Sequence, residues 1–108
     1  MFKDLGKMLK LAGEMKTRLP EMRAKLAASE YSAEAGDGAV VVTVTGNMQV
    51  SGIRIRPDLV VSGDAARVED LVKDAVSGAQ KKAADAAAEA MKELTGGIDL
   101  PGMADWLA

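Results

Sequence analysis

Seven of the fourteen basic side chains crowd into the first thirty residues: Lys3, Lys7, Lys10, Lys16, Arg18, Arg23 and Lys25. Four acids share that stretch, so it carries a net +3, whereas residues 31–66 carry −2 and residues 67–108 carry −3. Cations repeated along one element suit an anion that itself repeats, such as a phosphate backbone. Lys3, Lys7 and Lys10, with only Asp4 close in sequence, suit that role best. The same side chains also have a plainer reading. Glu14–Arg18 and Glu21–Lys25 stand at i,i+4 and could pair on a helix. Arg54 and Arg56 share a strand face and read equally as groove contacts or as cross-strand ion-pair partners. Lys81, Lys82 and Lys92 lie among Asp85, Glu89 and Glu93 and read as a solvated face. The whole chain is slightly acidic, at −2, which by itself argues mildly against a polyanionic partner.

Other chemistries are poorly served. The chain has no histidine and no cysteine, so it lacks the commonest general base, the commonest metal ligand and a thiol nucleophile. Neither a Ser-His-Asp nor a Cys-His arrangement can be assembled, so the expectation is no enzyme, no metal, no cofactor and no small-molecule substrate. Thr45-Gly46-Asn47 is no phosphate loop, because the glycines are too few and no helix follows directly. The longest uncharged run, Gly38 to Ile53, is 16 residues and rich in polar types, too short and too polar to span a bilayer. Charges follow at once behind Met1-Phe2, unlike a secretory signal, and a cytoplasmic protein is expected.

The elements that must position these cations follow from periodicity. Leu5, Met8, Ala12, Met15, Leu19, Met22 and Leu26 recur at alternating steps of three and four, a heptad seam on a helix from about Lys3 to Ala28. The methionines on it read as core or dimer seam. Lys16, Arg18, Arg23 and Lys25 flank the seam, so two such helices side by side in parallel would repel. Pro20 falls inside and predicts a kinked single helix, with two shorter helices as the alternative. Tyr31, Ala33 and Ala35 alternate with polar residues, Gly36-Asp37-Gly38 reads as a turn, and Val40, Val42 and Val44 alternate through a second strand. Gly46-Asn47 reads as a two-residue hairpin turn into a third strand from about Met48 to Arg56, ended by Pro57. Asp64 is the expected N-cap of a long helix whose apolar stripe is Val68, Val72, Ala75, Ala79, Ala83, Ala86, Ala90 and Leu94, ended by Gly96-Gly97. The expectation is an α+β chain forming one domain over 1–108. It comprises a basic heptad helix over 1–28, a three-stranded antiparallel meander over 30–56, a long helix over 64–95 and a tail over 96–108. That tail is expected to be mobile or to dock as an extended strip. With three aromatic residues in the whole chain, much apolar surface is expected to be buried between copies.

Four stretches, taken in order, resemble the YbaB/EbfC family over essentially the whole chain. They are the Met- and Lys-rich opening helix from Met8 to Leu26; the meander from Val40 to Ile55 with Pro57 and Leu59-Val60; Glu69 to Ala75; and Met91 to Gly102. The chain departs from the family pattern at Pro20, at Arg56 before the proline, and at Ser77-Gly78. The resemblance implies an intertwined, tweezer-like homodimer that binds double-stranded DNA in the bacterial nucleoid, without catalysis. In that reading Lys3, Lys7, Lys10, Lys16, Arg18, Arg23, Lys25, Arg54 and Arg56 are candidate phosphate contacts, and Leu5, Met8, Met15, Leu19, Met22 and Leu26 line the dimer seam. No helix-turn-helix, zinc motif or aromatic platform is present to read bases, so little sequence preference is expected. The alternative is a coiled-coil-like or chaperone-like dimer whose arms clamp a protein partner.

Overall fold

A computed structural model describes residues 2–94, with side chains from residue 5 onward. Helix α1 runs unbroken over Phe2–Ala28, with Pro20 inside it. Strands β1 (Glu30–Ala35), β2 (Val40–Thr45) and β3 (Val50–Ile55) follow, then a short α2 (Pro57–Val61) and the long α3 (Ala65–Leu94). The expected α+β order is therefore present, and Pro20 does not split the first helix. A mid-helix proline costs about 3 kcal/mol, and here it is exposed between half-buried Leu19 and Met22, whose packing helps to hold the helix together. Ser29 closes α1 by donating its hydroxyl to the Lys25 carbonyl at 2.8 Å.

The sheet is an antiparallel meander in the order β1-β2-β3. Its register puts Tyr31, Ala33 and Ala35 opposite Val44, Val42 and Val40, and Val42 and Val40 opposite Ile53 and Ile55. Directly paired residues share a face, so these side chains form one apolar surface. Helix α3 lies over the β1–β2 part of it, burying Val40, Val42 and Val44 completely against Ala75, Ala79 and Ala83. Small side chains on α3 allow this close approach: a Cβ added at Gly78 would meet the Ala33 methyl at 3.1 Å. The register shifts between Thr43 and Val44. This bulge keeps Val50 on the same face as Ile53, although the two are three residues apart.

Two readings of the sequence need correction, and one that holds, the end of β3 at Pro57, needs an addition. Residues 46–49, not two residues, connect β2 to β3, and the positive φ belongs to Met48 at 68°. Gly46 serves a different contact, since its N–H donates to the Leu26 carbonyl at 3.1 Å, and a Cβ there would run into that backbone. Tertiary contact with α1, not turn chemistry, demands this glycine. Pro57 ends β3 but also opens α2, which holds buried Leu59 in the core. Second, the stripe on α3 veers to Ala87 and Met91, while Ala86, Ala90 and Leu94 are only half-buried. A run of fours, 75-79-83-87-91, drifts around a helix of 3.6 residues per turn and carries the contact face from the sheet toward α1. Asp64 is the N-cap as expected, accepting the Arg67 N–H at 3.1 Å. The expected Gly96-Gly97 terminator and the tail lie outside the described residues.

Candidate nucleic-acid interface

Helix α3 runs back along β1 and then along α1. Leu71 touches the Gly36 turn, Gly78 meets Ala33, and Lys82 donates to the Ser32 carbonyl at 2.7 Å. The last described turn, Ala90 to Leu94, borders a shallow groove of about 370 Å³ with Arg18, Glu21, Met22 and Lys25 of α1. The molecule is consequently long and thin, 68 × 22 × 17 Å. Described α3 ends beside the middle of α1, so the N-terminal part of α1 extends past it. Residues 5–10 are exposed on every side.

The cations lie mainly on this projecting helix. Lys7, Lys10, Lys16, Arg18, Arg23 and Lys25 are all exposed; the side chain of Lys3 lies outside the described residues. With about 100° between residues, Lys7, Arg18 and Lys25 occupy one flank of the apolar strip, Lys16 and Arg23 the other, and Lys10 stands on the face opposite the strip. The candidates therefore form two rows, with Lys10 apart from both. Glu14 and Glu21 stand in the first row, yet neither pairs with Arg18 or Lys25 among the described residues. Arg18 and Lys25 face the groove that also contains Glu93, so they sit in a mixed field. Lys7 and Lys10 stand beyond it.

Arg54 and Arg56 are not brought to α1. Arg54 lies opposite Val41 on the sheet face turned away from α3. Arg56 precedes α2 and its Nε donates to Asp58 Oδ1 at 2.6 Å. That hydrogen bond, with the charge of the guanidinium, holds the Asp58 carboxyl below its usual value. The cross-strand alternative is thus replaced by a local pair at i,i+2, legible in Arg56-Pro57-Asp58 once a helix is known to start there.

The seam divides in two. Met15, Leu19, Met22 and Leu26 are half-buried within one chain, Met22 beside the end of α3 and Leu26 beside the β2–β3 turn, whereas Leu5 and Met8 are exposed. The sheet also offers unequal edges. Lys82 occupies an outward carbonyl of β1, one way of blunting an edge strand. At the other edge β3 leaves Val50 and Ile53 45% and 50% exposed, and α2 adds exposed Val60 and Val61. A family model matches the chain that folds into this helix, meander and long antiparallel helix. The YbaB/EbfC DNA-binding family aligns with residues 1–98. The chain belongs to this family.

Relatives agree along the chain. A nucleoid-associated protein of Clostridium kluyveri is 38% identical over 100 residues, 93% of this chain and 88% of that protein. One from Gemmatimonas aurantiaca is 43% identical over 98 residues, covering 91% and 94%. Another, from Rhodospirillum rubrum, is 38% identical, covering 92% of each. An uncharacterized protein of Helicobacter pylori has a crystal structure that superposes with a TM-score of 0.61 at 22% identity, covering 88% and 92%, a likeness of fold. Among the described residues no cluster of acidic side chains could hold a metal ion, and no helix is long and apolar enough to cross a membrane.

Proposed function

We propose that the chain acts as a homodimer that binds duplex DNA in the nucleoid, chiefly through phosphates and with little sequence preference. One observation carries the reading: the basic part of an otherwise acidic chain is a projecting helix end, where Lys7 and Lys10 are exposed and make no ion pair among the described residues. Phosphate contacts need reach and charge rather than a shaped pocket. Membership of a DNA-binding family and the nucleoid-associated relatives support it. The open β3 edge supports the dimer, because its apolar side chains and unpaired backbone suit a second copy better than water. Two copies would then double the cations offered to one duplex. Lys3, Lys16, Arg18, Arg23, Lys25 and Arg54 are secondary contacts in this proposal, and Arg56 the weakest because it is already paired. The acidic α3 faces away from the duplex.

The test is a mobility-shift titration of random-sequence duplex DNA across salt concentrations. Neutralising phosphates releases condensed counterions, at a slope of about −0.9 per contact in log affinity against log salt. Three or four contacts per chain give a dimer a slope of roughly −5 to −7. No binding at low salt would refute the proposal and leave the protein-clamping reading in its place.

A further inference from the structure

The projecting end of α1 has an apolar side as well as a basic one. Leu5, Met8 and Leu9 are 55%, 66% and 68% exposed, and they prolong the strip that Met15, Leu19 and Met22 present to the rest of the chain. Such a strip on a helix one layer thick calls for a cover. A second α1 lying parallel along the whole strip is a poor one, because Lys16, Arg18, Arg23 and Lys25 flank its lower part and would face their own kind. The family match stops at residue 98, and the sequence beyond Leu94 carries Ile98, Leu100, Met103, Trp106 and Leu107 with two acids, Asp99 and Asp105, and no base.

We propose that residues 98–107 dock on the exposed apolar strip of their own α1. Position favours it. Helix α3 runs antiparallel to α1 and reaches Leu94 beside Met22, so the chain leaves at the foot of the strip. From Met22 back to Leu5 is about 25 Å along a helix, and ten or more extended residues span more than 30 Å. Gly96-Gly97 lets the chain turn away from the α3 axis. Charge is compatible with it, since the segment carries two acids and no base, and on the strip those acids need not reach Lys7 and Lys10, which stand off it around the helix. Tethering makes the encounter intramolecular, at a high effective concentration that a separate protein partner lacks.

Trp106 is the single tryptophan and so reports on the tail directly. The expected result is an emission maximum blue-shifted from that of the denatured chain, with reduced quenching by acrylamide, both independent of protein concentration. Met8→Ser with Leu9→Ser should abolish the shift and the protection while far-UV circular dichroism keeps its helical signal. Leu100→Ser with Met103→Ser, which leaves α1 untouched, should do the same. Emission already equal to that of the denatured chain, or protection that neither double variant removes, overturns the proposal. Protection lost on dilution overturns it as well, because the cover would then belong to another copy. None of these readings involves DNA, so they stand apart from the outcome of the mobility-shift titration.

Discussion

Among the nine candidate cations, environment separates side chains that sequence treats alike. Lys7 and Lys10 stand clear of acids packed from other elements, so replacing both with Ala should flatten the salt slope of a dimer by about 3 to 4 units. The loss should be similar on unrelated DNA sequences, because phosphates carry no base information. Arg56 is already held by Asp58, so Arg56→Ala should leave affinity nearly unchanged in the same titration. The pair also fixes a sign. Asp58 titrates lower in the folded chain than in the unfolded one. Its contribution to stability is therefore present above the ordinary carboxylate value and is lost as pH falls through the depressed one. Asp58→Asn should accordingly make the acid limb of a pH–stability curve shallower, below about pH 4. The change should be small, because both side chains are well exposed.

The elements are held together by close approaches that a single side chain can disturb. Where the β2–β3 turn passes α1, Gly46 lies against the Leu26 carbonyl, and no Cβ fits without backbone movement. Gly46→Ala should cost about 2 kcal/mol or more, read as a lower midpoint in urea with an unchanged m-value. Met22 is half-buried beside Leu94, where α3 meets α1. Met22→Asp would put a carboxylate into a half-buried apolar contact, where Arg18 and Lys25 only partly offset Glu21 and Glu93, and should lower Tm by about 5 °C. Leu5→Asp, at the exposed end of the same strip, should cost far less. If the two substitutions cost the same, the described α1–α3 contact is not what stabilises the strip.

As a whole, the described residues leave apolar surface that one copy does not cover. Val61 is 84% exposed, and Val50, Ile53 and Val60 add to an uncovered band along β3 and α2. Sedimentation at micromolar concentration should therefore give about twice the chain mass. Ile53→Lys should shift the protein toward monomer, because it places a charge in the proposed interface, whereas Val41→Lys on the opposite sheet face should not. A well-folded monomeric parent would overturn the dimer and, with it, the doubling of cations along the duplex.

Periodicity and punctuation determined much of this. The heptad strip of α1, the alternation of Val40, Val42 and Val44, the Asp64 cap and the acid-to-base asymmetry of the chain are local patterns, and each is present where the residues put it. The family was legible for the same reason, since four local stretches in order carry it. What tertiary structure decided concerns residues whose meaning depends on a distant neighbour. Gly46 looked like a turn residue and is a contact residue, because Leu26 lies against it from 20 positions away. Ala87 and Met91 take the burial that period alone gave to Ala86, Ala90 and Leu94, because α3 must pass from the sheet to α1. Arg56 read equally as a groove contact or a cross-strand partner until α2 placed Asp58 beside it. Sequence supplied the charges and faces; only packing between elements decided which of the described ones stay exposed.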